Sequence, residues 1–493
     1  MSCGPRAKTS WLAALYYNGD PTMSNYIAVD LGAESGRVIL GGLAEGRLTL
    51  EEIRRFPNQP VQLPRGLYWD SFRLFHEIQE GLTIAGRERQ LKAAGIGVDT
   101  WGVDFGLLGA DGGLIDCPRH YRDPRTNGVP ECLFEKVARW DVFAQTGIQI
   151  MSFNTLYQLY SLRLADSAAL SHAARLLFMP DLLNYWLTGV ARNEVTIAST
   201  SQFYDPRVRS YATGMLERLG IPTGMLAELI EPGREIARLL PRLAEATGLG
   251  PVPVYAVGAH DTASAVAAVP AQGDDWCYIS SGTWSLMGVE WPQPVIDERS
   301  YNLNFTNEAG VAGRTRLLKN IAGLWLLQEC RRAWAAEGER FGYEELVHMA
   351  EEAGPARAII DPDDFLQPGD MPARIAQWCR EHALDTPRTK GEFCRTILES
   401  LAHRYRDVLD GLETLIGRGI RVIHIVGGGS RNQLLNRLVA SVTGRTVIAG
   451  PVEATAAGNL LVQAIGAGEV ANLEEAREIV RRSFEITSFT PAT

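Results

Sequence analysis

Tyr26-Ile-Ala-Val-Asp-Leu-Gly-Ala-Glu-Ser-Gly-Arg37, continued by Val38-Ile-Leu40, is the stretch on which the reading of this chain turns. A second stretch, Tyr278-Ile-Ser-Ser-Gly-Thr-Trp-Ser285 followed by Leu286-Met-Gly-Val289, repeats its design. Each is a β-rich run, a tight turn of glycine and small hydroxyl residues, and a second β-rich run. That order predicts a hairpin whose turn leaves backbone N–H groups open to approach. Such turns form concave, electropositive nests that suit phosphate. One of them carries little weight. Two in matching contexts, one per half of the chain, predict a nucleotide held by two similar domains.

A third segment points the same way. Arg421-Val-Ile-His-Ile-Val426 has the pattern of a short strand, Gly427-Gly-Gly-Ser430 turns the chain, and Arg431 to Ala440 reads as an amphipathic helix. A strand, a glycine turn and a helix N-terminus can contact a nucleotide, although many βα turns look alike. The spacing is not that of a dinucleotide fingerprint, and no G-x-x-x-x-G-K-[ST] occurs.

Working outward, Tyr26–Gly32, Arg37–Leu43 and Arg47–Phe56 read as a three-strand meander. A helix follows with Phe72, Phe75, Ile78 and Leu82 on one face. Ala94–Val98 is an apolar strand ending at Asp99-Thr-Trp-Gly102. Phe105–Leu108 and Leu114–Cys117 flank Asp111-Gly-Gly113, a hairpin signal. Helices dominate from Val129 to Gly189. Pro251–Val257 is a strand ending at Gly258-Ala-His-Asp261, before the small-residue helix Thr262–Ala268. Ile397, Leu401, Tyr405, Val408, Leu412 and Leu415 form one stripe of a long helix. The repeated βββ-α-β-α order predicts two α/β domains with mixed sheets. The boundary is expected at 265–275, giving domains 23–268 and 269–488. Residues 1–22, which precede the first strand and lack sustained periodicity, are expected to be a disordered extension.

The 493 residues are enough for two to four domains. A net charge of −10 with no Lys/Arg-rich run argues against nucleic-acid binding. No apolar run approaches a membrane span. The seven cysteines form no C-x-x-C pair, so a zinc ribbon or redox motif has no support. Reduced thiols of a cytoplasmic protein are expected, although Cys379 and Cys394 could bridge a loop. The histidines show no metal spacing.

Together these segments resemble the FGGY family of carbohydrate kinases. Asp30–Arg37 is similar to the family's first phosphate motif, Ser280–Ser285 to its second, Val426–Ser430 to its adenosine motif, and Gly450–Gly458 to its C-terminal signature. The resemblance implies two ribonuclease-H-like (actin-like ATPase) domains, mixed sheets flanked by helices, with the active-site cleft between them. Within the family, Val98–Phe105, Tyr121–Gly128, Ser152–Leu159, His260–Val266, Ser281–Gly288 and Leu318–Gln328 resemble members acting on L-rhamnulose. The implied reaction transfers the ATP γ-phosphoryl group to the 1-hydroxyl of L-rhamnulose, with Mg²⁺, in L-rhamnose catabolism. Another ketose such as L-fuculose or a xylulose, or a non-catalytic sugar-responsive protein of the same fold, is the alternative. A cytoplasmic monomer or weak homodimer, with no nucleic-acid or membrane partner, is expected.

The resemblance also assigns residues. Asp261 is the implied base and a sugar contact. From local sequence alone the N-cap of the following helix is the favoured reading, which the resemblance reverses. Asp30 is implied to hold Mg²⁺, directly or through water; its local alternative is a hydrogen bond shaping the turn. Ala33, Glu34, Ser35, Gly36 and Arg37 would line the phosphates. Glu34 departs from the family's small polar residue, and its side chain is expected to point outward. Thr283, Gln328 and Gly428 would contact the nucleotide. Gly102, His260, Thr262 and Asn320, with Asp261, would bind the sugar. Trp101, Trp284 and Trp325 are expected to be core or wall. A single rigid site could not admit ATP and also exclude water, so closure hinged near the boundary is expected.

Overall fold

A computed structural model describes residues 23–491; the reading of residues 1–22 lies outside them. The chain forms two compact units. One runs through Ala268 and adds Ala309–Gly313 and Thr455–Ser483. The other takes Val269–Glu308, Arg314–Ala454 and the chain from Phe484 onward. The chain first crosses from one unit to the other at Ala268–Val269. The return of Thr455–Ser483 to the first unit has no counterpart in the contiguous division into 23–268 and 269–488.

The first unit is built on a six-stranded mixed sheet. Its strands are β1 (Ser24–Leu31), β2 (Ser35–Ala44), β3 (Arg47–Pro57), β4 (Ala93–Thr100), β5 (Glu235–Arg238) and β6 (Pro253–Tyr255), in the order β5-β6-β4-β1-β2-β3. The meander β1-β2-β3 is antiparallel, and β1, β4 and β6 run parallel. Ile27, Val29 and Leu31 of β1 are buried, as are Val38 and Leu40 of β2 and Ile96 and Val98 of β4. A strand covered on both faces reads as a continuous apolar run, which is the signature of β1.

The second unit repeats the plan. Its strands are β7 (Trp276–Ser281), β8 (Ser285–Trp291), β9 (Thr306–Ala309), β10 (Thr315–Ile321), β11 (Val422–Val426), β12 (Thr446–Ala449) and β13 (Thr487–Phe489), in the order β9-β10-β8-β7-β11-β12-β13. Again a hairpin (β7-β8) and a third antiparallel strand (β10) lie on one side, and two parallel strands (β11, β12) on the other.

Helix α1 (Ser71–Thr83) buries Leu74, Ile78 and Leu82. The expected stripe is therefore rotated. Phe72 is 59% exposed and stacks on Trp186, and Phe75 meets the same indole edge-on. Those rings join α1 to the helix Met179–Thr188, which carries Trp186. Phe105–Leu108 pairs with Arg175–Phe178, not with Leu114–Cys117, which contributes a single bridge at Leu114. The turn at Asp111-Gly-Gly113 forms, closed by Gly109 N–H donating to Gly113 O at 2.8 Å, and Ile115 N–H donates to Leu107 O at 2.9 Å.

Helix α2 (Asp261–Ala267) follows β6. Helix α3 (Trp325–Ala336) and the long α4 (Lys390–Ile416) cover the second sheet, and the stripe from Ile397 to Leu415 is buried as expected. Helix α5 (Ala454–Gly466) returns to the first unit. There Gly458 lies so close to Ser264 that a Cβ would sit 1.8 Å from its carbonyl oxygen, and Gln463 donates to Ile27 O at 3.0 Å. Cys379 and Cys394 are buried, unpaired thiols, and no helix of the described residues is long and apolar enough to cross a membrane.

Candidate active site

In the first unit three strand ends bring carboxylates together. Asp30 on β1 is the register partner of Arg37 on β2 and of Asp99 on β4. Side chains in register on neighbouring strands share a face. Arg37 forms a close ion pair with Asp30, and its other nitrogen lies 3.9 Å from Glu52. Arg37 is thus committed to a carboxylate, not left to solvent. Asp99 is fully buried. One of its oxygens accepts a 2.5 Å hydrogen bond from Asn459 of α5, and the other has no partner. Burial and the charge of Asp30 raise its carboxyl well above the ordinary range.

The β1–β2 turn holds Gly32, Ala33 and Glu34 and is closed by Gly32 N–H donating to Ser35 O at 2.9 Å. Asn58 braces it from outside, donating its backbone N–H to Glu34 O (3.0 Å) and its side-chain N–H to Gly32 O (2.9 Å). Glu34 is exposed, and Ala33 and Ser35 are half-buried. Gly36 is a packing glycine, because a Cβ there would fall 2.3 Å from the Phe56 ring and 2.5 Å from Leu31.

The β6 end runs on to Asp261. His260 caps α2 and Asp261 is its first residue, so the N-cap reading of Asp261 fails by one position. The Asp261 side chain keeps 31% exposure, and His260 Nε2 lies 3.5 Å from its Oδ1. The same oxygen accepts the Thr262 N–H (2.6 Å) and hydroxyl (3.2 Å). Partial burial raises the Asp261 carboxyl, His260 opposes this, and the charge of Asp30 adds to it.

Gly102 joins this group. A Cβ on Gly102 would stand 3.4 Å from both His260 Nε2 and Thr200 Oγ1, so the glycine keeps the space before His260 open. Val103 has φ of 69°, left-handed and strained for a β-branched residue. It is held by Thr200 Oγ1, which accepts its N–H at 3.1 Å, and by Thr155, whose hydroxyl donates to its carbonyl at 2.6 Å. Beneath it Asp104 is buried and accepts from Trp69 Nε1 (2.6 Å), Trp101 Nε1 (3.0 Å) and Gln158 Nε2 (2.9 Å). Burial pushes the Asp104 carboxyl up to about 6 against those three donors.

In the second unit, Thr283 sits in the β7–β8 turn. Gly282 N–H donates to Trp284 O at 2.8 Å, and Trp325 N–H, at the start of α3, donates to Thr283 O at 3.0 Å. Gln328 lies one turn along α3, and its Oε1 is a buried acceptor with no hydrogen-bond partner. Asn320 is half-buried on β10, in register with Leu286 of β8. After β11, Gly427 takes φ of 85° and Gly428–Arg431 forms a 3-10 turn. The helix Gln433–Thr443 starts only after it, capped by Asn432. Gly428 faces open space, whereas a Cβ on Gly429 would lie 2.0 Å from Ser281 Oγ.

Among the expected residues, the first unit thus gathers Asp30, Arg37, Gly102, His260, Asp261 and Thr262. Thr283, Asn320, Gln328 and Gly428 belong to the second. Asp99, Thr200, Glu194 and Asn58 were not singled out from sequence. Asp99 alone carried a signal, a carboxylate at the end of an apolar strand.

Comparison with known proteins gives the class. The N-terminal domain of the FGGY family of carbohydrate kinases matches residues 25–268, and its C-terminal domain residues 277–467. The chain belongs to the FGGY family of carbohydrate kinases. It is 46% identical to a rhamnulokinase of Bacteroides thetaiotaomicron over 95% of this chain and 96% of that one. It is 39% identical to the rhamnulokinase of Bacillus subtilis over 94% and 95%. The fold is that of the xylulose kinase of Lactobacillus acidophilus, with a TM-score of 0.78 at 15% identity over 95% and 94% of the two chains. Plasmodium falciparum glycerol kinase shares it too, with a TM-score of 0.75 at 13% identity over 95% and 94%.

Proposed function

We propose that the chain is an ATP-dependent rhamnulokinase that phosphorylates L-rhamnulose at its 1-hydroxyl, giving L-rhamnulose 1-phosphate and ADP. The observation that carries this is the meeting of Gly102, His260 and Asp261 at adjoining strand ends, in a chain nearly half identical to a rhamnulokinase along almost its whole length. Phosphoryl transfer runs through a loose transition state, so the protein's work is positioning and charge neutralisation. Asp261, in its ionised form, accepts the proton of the attacking hydroxyl. Its place in the first turn of α2 favours that ionised form. Gly102 leaves room for the sugar, and His260, Thr262 and Asn320 supply directional hydrogen bonds. A hydroxyl they fail to match would leave a buried group unpaired, which is how polar sites discriminate.

On the nucleotide side, the turn residues Ala33, Glu34 and Ser35 offer backbone N–H groups, with Gly36 and Arg37 following. Thr283, Gln328 and Gly428 serve the remainder of ATP. The unpartnered Gln328 acceptor suits an amino group. For Mg²⁺, Asp30 and the partnerless oxygen of Asp99 are hard donors of the right kind. They would hold the ion directly or through water, and the ion would supply positive charge to the phosphates. Since ATP is a cytoplasmic substrate, we place the enzyme in the cytoplasm, as a monomer or weak homodimer.

The test is ADP release coupled to NADH oxidation over L-rhamnulose, L-fuculose and D- and L-xylulose. L-Rhamnulose is expected to give the highest kcat/KM by at least about tenfold, the low end of what a small difference in substrate structure brings. A faster rate with any other ketose, or none with L-rhamnulose, rejects the assignment.

A further inference from the structure

The strand end that carries His260 and Asp261 is tied on one side to β4, where Thr100 N–H donates to Ala259 O at 2.9 Å. Ala259 and His260 precede a helix whose N-cap makes no side-chain bond to it. Their backbone N–H groups are instead taken by a short turn from another part of the unit. Ala259 N–H donates to Glu194 Oε2 at 3.2 Å. His260 N–H donates to Thr196 Oγ1 at 3.2 Å. The Thr196 hydroxyl in turn donates to Glu194 Oε2 at 2.5 Å. Glu194 also accepts the N–H groups of Thr196 (2.8 Å) and Ile197 (3.1 Å), capping the helical turn Val195–Ala198. A few residues on, Thr200 of the same segment accepts the Val103 N–H and stands where it would meet a Cβ on Gly102 at 3.4 Å. One turn of chain thus braces both walls of the proposed sugar site.

Glu194 is fully buried. No cation contacts it among the described residues, and burial pushes its carboxyl up to about 7 against the hydrogen bonds it accepts from Thr196, Ile197 and Ala259. A buried carboxylate satisfied only by neutral donors is costly to keep. A capping role alone would be served by Ser, Thr, Asp or Asn from a shorter side chain. The longer side chain reaches one donor those residues would not, the Ala259 N–H.

Resting on the assignment of Asp261 and His260 to the sugar, we propose that Glu194 is a positioning residue for the reaction. Through its carboxylate and the Thr196 hydroxyl it fixes the Ala259–His260 backbone, and so the placement of His260 and Asp261 against the sugar hydroxyls. It touches no substrate.

Thr196→Val keeps the shape of the side chain and removes the hydroxyl that links Glu194 to His260. Thr196→Ser restores it. Glu194→Gln turns an N–H₂ toward N–H donors and breaks the link at its root. Misplacement of reacting groups by about 1 Å costs on the order of a hundredfold. Glu194→Gln is therefore expected to lower kcat/KM for L-rhamnulose about a hundredfold and Thr196→Val about tenfold. KM for ATP should stay within about twofold, because neither change touches the phosphate turn. Thr196→Ser should return to within about threefold of the native enzyme. Calorimetric affinity for L-rhamnulose should fall in parallel, with melting temperature as the control.

Unchanged sugar affinity and kcat/KM with a lower melting temperature would reduce Glu194 to a fold-stabilising cap. Equal losses for sugar and ATP would mean general loosening, and would also overturn the proposal. If Glu194→Gln does not fold, the Val and Ser variants of Thr196 decide alone. The base assignment is tested beside it with Asp261→Asn, which should keep sugar affinity and lose turnover. Were Asp261→Asn fully active while Thr196→Val lost sugar affinity, the base would fall and the brace would stand.

Discussion

The two hairpins are the same backbone put to different use. In the first unit, the residue two before the turn glycine is Asp30, in register with Asp99 on the parallel strand. In the second it is Ser280, in register with Val426. Both turns close through a glycine N–H, from Gly32 to Ser35 O at 2.9 Å and from Gly282 to Trp284 O at 2.8 Å. The first therefore carries carboxylates and an arginine at these points, and the second Ser280, Val426, Thr283 and Trp284, none of them charged. The second unit does bury a charge pair, but within its sheet: Arg316 of β10 and Glu308 of β9, 3.0 Å apart. A repeated frame thus fixes where chemistry can be placed, and single residues at equivalent points decide which unit carries it.

If the first unit carries the proton and metal chemistry, the largest effect comes from its base. Asp261→Asn is expected to lower kcat by about 10²–10⁴-fold with nucleotide affinity nearly unchanged. A variant with more than a tenth of native turnover would move the chemistry elsewhere. The pH profile sharpens the point. Burial and Asp30 raise the Asp261 carboxyl above the ordinary aspartate range. The base works ionised, so activity should be lost on acidification at a pH above that ordinary range. An acid limb at the ordinary aspartate value would contradict the raised carboxyl.

Next in size is a change of stability confined to the second unit. Arg316 is fully buried and Glu308 nearly so. Removing one member of a buried pair strands the other, at a cost of about 3–5 kcal/mol. Arg316→Ala should lose that much in urea unfolding while sparing Asp261 chemistry in the fraction that remains folded. A loss under about 1 kcal/mol would show that the pair is solvated.

The adenosine-side glycines separate packing from ligand contact. Gly429→Ala forces a Cβ to 2.0 Å from Ser281 Oγ. Overpacking of that kind costs about 1–3 kcal/mol. Gly428→Ala meets nothing within 4 Å, so its melting temperature should hold while KM for ATP rises several-fold. The opposite pattern would exchange the two roles.

Much of this was legible in the chain. Strands β1, β7 and β11 announce themselves by β-rich runs ended by glycine, a local signal that the sheet then confirms. The stripe of α4 was equally plain. What stayed hidden depends on partners far away in sequence. The face of α1 rotated because Trp186, more than a hundred residues on, receives Phe72 and Phe75. Asn459 meets Asp99 across 360 residues, and Glu194 meets Ala259 across 65. Neither pairing leaves a periodicity or a motif. The α5 crossing is hidden for the same reason: its contact glycine, Gly458, looks like any helical glycine until Ser264 is against it.

The smallest expected effect tests the turn where the two hairpins differ most in charge. Glu34 stands in a turn proposed to hold phosphate, where a carboxylate facing inward would repel it. The side chain is exposed, while the backbone carbonyl of the same residue is tied down by Asn58 at 3.0 Å. An exposed charge acts on nearby phosphates through water and salt. At physiological ionic strength such interactions decay over about 8 Å. Glu34→Gln should therefore change KM for ATP by less than about twofold, with a slightly larger effect at low salt, where the screening length grows. A drop in KM of tenfold or more would mean that the native carboxylate faces the nucleotide. The first turn would then carry a built-in brake on ATP binding that the second turn, with Thr283 and Trp284 in its place, does not have.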